Sequence, residues 1–228
     1  TMKKLLILIL ISLISKVSPK LYNLLKEKNL IRSLPLDFLN ELRLINTNSV
    51  CIDLGANIGE ISSMMAKRGA TVYAFEPNSA IYILLEEKYK SFPNIHLIKK
   101  AAGITNRSVN LYLHSDNHGE NKAGLSQASS LKSNKPNVSK ENFEIVEELD
   151  FAEFLNNFEY IDLIKIDIEG YEIDLLNHLL DKNSLTNVRK VFVETHYHKW
   201  SELEKPTLEL IKRVKKFGLD EKINFDWR

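Results

Sequence analysis

The residues of this chain most suited to chemistry lie in four short stretches, each following an apolar run. The first is Asp53-Leu54-Gly55-Ala56-Asn57-Ile58-Gly59, after the run Val50-Cys51-Ile52 and before a segment of helical period. A glycine where a strand turns into a helix lets backbone approach a ligand closely, and the N–H groups of the helix start face an anion. Dinucleotide-binding turns follow G-x-G-x-x-G, whereas here Asn57 and Glu60 occupy the second and third glycine positions. That spacing argues against a pyrophosphate. A carboxylate at Asp53 suits a cationic amino group, and a methionine moiety carries both an ammonium and a carboxylate.

The second stretch is Val72-Tyr73-Ala74-Phe75-Glu76-Pro77, which puts Glu76 about twenty residues beyond the first turn, the separation at which an acid binds ribose hydroxyls. The third is Ile164-Lys165-Ile166-Asp167-Ile168-Glu169-Gly170-Tyr171-Glu172. Its three carboxylates within six residues repel one another unless a cation or shared proton sits nearby. Glu172 has a second reading, as an acid in the first turn of a helix, where it complements the dipole. The fourth, Val193-Glu194-Thr195-His196-Tyr197-His198, brings a histidine to the same rim.

Strands alternating with helices must position these tips. Segments Ser49–Leu54, Thr71–Phe75, Ile95–Lys99, Ile161–Ile166, Val188–Glu194 and Lys222–Asp226 read as strands. Gly59–Arg68, Ser79–Tyr89, Phe151–Phe158, Tyr171–Asp181 and Pro206–Phe217 read as helices. This order predicts a doubly wound α/β fold with a mostly parallel sheet. Ligands in such sheets bind outside the carboxyl ends of the strands, where all four stretches fall. Between Ala102 and Glu148 the pattern breaks: Ser108–His114 alternates like a strand, and Ser115–Ser139 has no period. A loop of that length in a compact domain is a functional lid or a mobile surface segment.

Composition narrows the partners. The 228 residues are 44% apolar and 27% charged, enough for one domain with a sizeable core. Lys plus Arg (31) balances Asp plus Glu (30), so no basic field gathers nucleic acid. Cys51 is the only cysteine, which excludes an intrachain disulfide, and its apolar neighbours make it a strand residue. There is no H-E-x-x-H, and His196-x-His198 is a poor ligand set, so no metal is expected from the sequence.

Residues 1–47 read as an N-terminal helical extension and 48–228 as the catalytic domain. Lys3-Lys4 followed by Leu5 to Ile14 imitates an export signal, but the run is too short to span a bilayer and no small-x-small cleavage site follows, which favours a helix docked on the domain or lying at a membrane surface over a cleaved signal. With four lysines and no acid, residues 1–20 permit weak contact with an anionic membrane surface, so a cytoplasmic protein, peripheral to the membrane at most, is expected.

Five motifs occur in order: Ile52-Asp53-Leu54-Gly55-Ala56-Asn57-Ile58-Gly59, Phe75-Glu76-Pro77-Asn78, Ala128-Ser129-Ser130-Leu131, Ile164-Lys165-Ile166-Asp167-Ile168-Glu169-Gly170 and Val193-Glu194-Thr195-His196. Together they closely resemble the FkbM family of S-adenosylmethionine-dependent methyltransferases, over roughly residues 48 to 228. The resemblance implies a class I, Rossmann-like fold with a seven-stranded sheet. It implies S-adenosylmethionine as cofactor and O-methylation of a hydroxyl on a sugar, glycolipid or small metabolite. It further implies that Asp53, Gly55, Ala56, Asn57 and Gly59 hold the methionine end, Glu76 with Asn78 the ribose end, and Ala101-Ala102 the adenine. Asp167 then lies on the methyl side. Since a hydroxyl acceptor must lose its proton, His196 is the first choice of base by its ordinary pKa, with Asp167 or Glu169 orienting it; direct proton removal by Glu169 is the alternative. Two competing classes share these features, a nicotinamide-dependent oxidoreductase and a cofactor-binding module without catalysis.

Overall fold

A computed structural model of the chain describes residues 18–114, 129–136 and 138–227. The charged and apolar run on which the membrane expectation rests, most of the loop after His114, and Ala128 of the third motif lie outside the described residues. The chain divides into two compact units, 1–40 and 41–228. The described part of the first is helix α1 (Pro19–Ser33) and the start of α2 (Leu36–Leu44). No helix among the described residues is long and apolar enough to cross a membrane.

The second unit begins with β1 (Val50–Leu54), α3 (Glu60–Ala66), β2 (Thr71–Phe75), α4 (Ser79–Tyr89) and β3 (Ile95–Ile98). After a separate set of strands, β4 (Ala101–Gly103), β5 (Arg107–His114) and β6 (Val138–Asp150), come α5 (Phe151–Leu155), β7 (Ile161–Ile166), α6 (Glu172–Asp181), β8 (Val188–Val193), α7 (Glu204–Lys216) and β9 (Ile223–Asn224). The main sheet has the order β3-β2-β1-β7-β8-β9, with every neighbouring pair parallel. The chain winds outward in one direction from β1 and in the other from β7. Right-handed crossovers then put the two sets of helices on opposite faces. The doubly wound α/β fold expected from the alternation is the observed one.

Strands covered on both faces read as continuous apolar runs, and these do. Ile52, Leu54, Leu163, Ile164, Ile166, Val191, Phe192 and Val193 are all fully buried. Leu175, Leu176, Leu179 and Leu180 of α6, Leu210 and Val214 of α7, and Phe151 and Leu155 of α5 form one cluster with Ile52, Leu54, Ile164, Ile166, Val191 and Val193 of these strands. Each such side chain contributes about 1.5–3 kcal/mol through burial, which fixes the strand tips relative to one another.

The main sheet holds six strands among the described residues, not seven. The remaining three form a second sheet in which β6 pairs antiparallel with β5 and parallel with β4. Strand β6 is not legible in the sequence because its pattern is inverted. Ile145 and Phe143 are exposed, while the Glu148 side chain is turned inward and only 2% of the residue is accessible. Glu148 accepts the backbone N–H of Ile104 at 2.9 Å and pairs with Arg107 Nε at 2.7 Å. Glu144 accepts the N–H of Ser79 at 3.0 Å. These carboxylates serve backbone groups of neighbouring segments, which apolar periodicity does not report.

Candidate functional site

The registers of the parallel strands bring the four chemical stretches to one rim. Phe75 lies beside Leu54, Leu54 beside Ile166, and Ile166 beside Val193. Glu76, Gly55, Asp167 and Glu194 are the next residues on four adjacent strands, at the point where the winding direction reverses. A cleft of about 670 Å³, its open mouth included, is lined there by Gly55, Asn57, Glu76, Ala102, Asp167 and Glu169 together with Phe75, Ile81, Leu111, Ser130, Leu131 and Tyr171.

The first turn is built by close backbone approach. Gly55 has φ 75°, and a Cβ at this position would stand 1.9 Å from the Asp167 carbonyl oxygen. The N–H groups of Gly55 and Ala56 both reach the Phe75 carbonyl, at 3.1 and 2.9 Å, which ties the turn to the neighbouring tip. Asn57 is left-handed at φ 50°, and its side-chain oxygen is buried without a hydrogen-bond partner. A buried unsatisfied acceptor at a cleft wall is unfavourable unless something supplies a donor. Gly59, also left-handed, packs where a Cβ would meet Tyr89 Oη at 2.1 Å.

Glu76 is 7% accessible. Its two oxygens accept the N–H groups of Asn57 and Asn78, both at 2.9 Å. Burial pushes its carboxyl up from 4.5 to about 7, against the lowering effect of those two hydrogen bonds. The Asn78 side chain is committed elsewhere: its oxygen caps α4, accepting from Ala80 and Ile81 at 3.0 and 3.1 Å. Asn78 therefore serves the site by holding Glu76 and starting the helix, and its side chain does not line the cleft.

Asp53 is fully buried behind the turn, so the expected contact with a ligand ammonium gives way to a structural one. Asp53 accepts Ser62 Oγ at 2.5 Å and pairs with Lys165 Nζ at 3.3 Å, its register neighbour on β7. Lys165 also donates to the Gly55 carbonyl at 2.8 Å and pairs with Asp167 at 3.4 Å. Burial alone would lower the Lys165 pKa, but Asp167 and Asp53 outweigh it and raise it. A lysine inside an apolar strand, two residues before an acid, is the one sign of this buried pair that the sequence carries. Ala56 is buried and, like Gly59, stands behind the cleft wall.

The acidic tip after β7 is a strained turn with a purpose. Glu169 has φ 57°, a left-handed conformation unfavourable by about 1–2 kcal/mol for a residue with a Cβ. Glu172 holds the turn from below, accepting the N–H groups of Ile168 and Gly170 at 2.8 and 2.9 Å, and Ser130 Oγ donates to the Glu169 carbonyl at 2.8 Å. The result turns the Asp167 and Glu169 side chains, each 25% accessible, to the cleft. Glu172 is thus more than an acid complementing a helix dipole: it is the clamp of this turn.

His196 does reach Asp167, because β7 and β8 are neighbours, but it stands behind the carboxylates. It is 3% accessible and does not line the cleft. Nδ1 lies 3.1 Å from Glu172, and Nε2 lies 3.3 Å from Glu169, 3.7 Å from Asp167 and 4.0 Å from Glu194. Burial would lower its pKa, yet Glu169 and Glu172 push it up to about 10. A general base needs a free nitrogen within reach of the acceptor, and His196 offers neither exposure nor a lone pair under these conditions. The carboxylates of Asp167 and Glu169 in front of it are the groups that line the cleft. Lys135, whose Nζ lies 2.6 Å from Glu169, and Tyr171, which lines the cleft and whose hydroxyl donates to Glu148 at 3.2 Å, have no signal in the sequence.

Comparison with known proteins identifies the family. The model described as the methyltransferase FkbM domain matches residues 53–218, which contain every residue named around the cleft. A search of curated proteins finds no match. Among solved structures, a precorrin 8W decarboxylase from Methanobacterium thermoautotrophicum is 14% identical, with 82% of this chain and 76% of that chain covered and a TM-score of 0.41. A precorrin-6y C5,15-methyltransferase from Geobacter metallireducens GS-15 is 11% identical, with coverages of 77% and 66% and a TM-score of 0.40. The assignment rests on the domain match, which spans most of the chain and every residue lining the cleft: the protein belongs to the FkbM methyltransferase family.

Proposed function

We propose that this methyltransferase uses S-adenosylmethionine to methylate a hydroxyl of a sugar, glycolipid or small metabolite. The observation that carries the reading is one cleft whose lining combines Gly55, Asn57 and Glu76 with the carboxylates of Asp167 and Glu169. The residues fit the cofactor: the buried Asn57 oxygen wants a donor, Gly55 leaves room only for backbone, and Glu76 keeps lone pairs for ribose hydroxyls. Ala102 and Leu111 give an apolar wall for adenine. The bound cofactor supplies an electrophilic methyl group on a good leaving group.

The chain's own task is then alignment and proton removal. Asp167 and Glu169 accept hydrogen bonds from an acceptor hydroxyl and fix its oxygen, which lowers the barrier through positioning. Glu169 is suited to take the proton as a carboxylate. Against burial, His196 and Lys135 hold its carboxyl below the usual range. Formation of S-adenosylhomocysteine with a panel of sugar and lipid hydroxyl acceptors tests the reading. Tight binding of NADH without binding of S-adenosylhomocysteine would overturn it in favour of a nicotinamide enzyme.

Two results are expected at Glu76. Glu76→Ala removes two charge-assisted hydrogen bonds, each contributing about 1.5–3 kcal/mol, so affinity for S-adenosylhomocysteine falls at least about tenfold in a folded protein. Unchanged affinity by calorimetry removes Glu76 from the site.

The second result concerns pH. With the folded pKa raised from 4.5 to about 7, the native protein binds a proton here that the unfolded chain releases. This contribution to stability is present at low pH and is lost as pH rises through about 7. Ribose hydroxyls need the ionised carboxylate as acceptor, so below about pH 7 binding must release the proton. Affinity then drops by about tenfold per pH unit below 7. Calorimetry in buffers of different ionisation enthalpy reads the released proton. A pH-independent affinity between about 5.5 and 8 contradicts the assignment.

A further inference from the structure

Four carboxylates, Asp167, Glu169, Glu172 and Glu194, surround the one imidazole of His196, and the geometry is ordered in a specific way. Glu172 faces Nδ1 at 3.1 Å. A carboxylate on one ring nitrogen fixes the tautomer and orientation of a metal-ligating histidine and makes the other nitrogen the better donor. That other nitrogen, Nε2, is aimed at Glu169 and Asp167, at 3.3 and 3.7 Å. The ring is 3% accessible, and neither of its nitrogens has an aligned hydrogen bond. A buried ring that faces four carboxylates with neither nitrogen in an aligned hydrogen bond is a place where a divalent cation can displace the Nε2 proton and take over its charge.

We propose that Asp167, Glu169 and His196 Nε2 form a divalent-cation site at the acceptor end of the cleft. One ligand atom from each of the three lies within 4.8 Å of the others. Ligands at about 2.0–2.2 Å from one ion stand about 3–4.4 Å apart, so only a small closure of the Asp167 and Glu169 side chains is required. Two carboxylates with one imidazole suit Mn²⁺ or a similar first-row ion better than Ca²⁺, which takes oxygen alone. Lys135 already neutralises Glu169 at 2.6 Å and Lys165 lies 3.4 Å from Asp167. Because Asp167 and Glu169 line the cleft, the remaining coordination positions face the acceptor. There the ion would hold a hydroxyl oxygen and lower its pKa, a role that rests on the methyltransferase reading, although the binding site itself does not.

The experiment uses the full chain, stripped with EDTA and titrated with Mn²⁺ under electron paramagnetic resonance, with S-adenosylhomocysteine calorimetry on the same samples. One equivalent of bound Mn²⁺ is expected. Affinity should fall at least about tenfold in Glu169→Gln and in His196→Gln, and about 10–100-fold in Glu172→Gln, which leaves the three ligands in place. No stoichiometric Mn²⁺ on the wild-type chain overturns the site, whatever the variants do. So does Mn²⁺ binding that survives both Glu169→Gln and His196→Gln in folded protein. If S-adenosylhomocysteine binds and Mn²⁺ does not, this inference fails alone. If Mn²⁺ binds with the expected variant pattern and S-adenosylhomocysteine does not, the methyltransferase reading fails and the ion site stands.

Discussion

Lys165→Met is expected to cost about 3–5 kcal/mol of stability at neutral pH, the range for removing one partner of a buried ion pair. Lys165 is 4% accessible and Asp53 is fully buried, so the substitution leaves the Asp53 carboxylate with only the Ser62 hydroxyl at 2.5 Å. It also removes the donor that holds the Gly55 carbonyl at 2.8 Å and the cation beside Asp167. Methionine fills much of the lysine volume, so the deficit is electrostatic and not a cavity. Pairing the change with Asp53→Asn should recover part of the loss, with a coupling of about 1.5 kcal/mol or more in a double-mutant cycle from urea denaturation. A single variant within about 1 kcal/mol of wild type would show that water reaches Asp53 and that the pair is not a structural element.

Gly55→Ala should have the largest effect on binding. The new Cβ would meet the Asp167 carbonyl oxygen at 1.9 Å and its carbonyl carbon at 3.1 Å, and both are backbone. Relief requires the tips of β1 and β7 to separate, at the point where Asp167 follows Ile166 and where Gly55 and Ala56 hold the Phe75 carbonyl. The left-handed φ of 75° adds about 1–2 kcal/mol of strain. Displacement of the Gly55 turn and the Asp167 tip together should lower S-adenosylhomocysteine affinity more than about hundredfold, with a loss of roughly 2–4 kcal/mol in stability. Gly218→Ala is the matched control. That glycine has φ 68° and nothing within 4 Å of the place its methyl group would take, so it shows the strain without the clash. Affinity within about threefold of wild type for Gly55→Ala would mean the turn has room, and the close approach of β1 to β7 would not be what shapes the site.

The alternation of apolar runs and helical periods determined the doubly wound sheet, because strands buried on both faces leave a one-dimensional signature. The same pattern put Asp53 through Gly59, Glu76, Asp167 and His196 at the carboxyl ends of strands. Motifs in order carried the family, and the spacing of Asn57 and Glu60 excluded a pyrophosphate turn. None of this needed the folded chain. What a linear pattern does not report is which way a side chain faces and what it meets. Asp53 and Glu76 follow similar apolar runs. Asp53 lies one residue before the end of β1, beside Lys165, and is buried, whereas Glu76 lies one residue beyond β2 and lines the cleft. Glu172 and Glu148 look like solvated acids in a row of residues, yet each holds backbone N–H groups brought from elsewhere in the chain or turned back upon it. His196 has an ordinary pKa as an isolated side chain. Only the convergence of β7, β8 and the α6 start places four carboxylates around it and changes it from a base into a buried cation. Electrostatic environment falls off over a few ångströms of space, not along the chain, so the tertiary structure alone decided the roles of these acids.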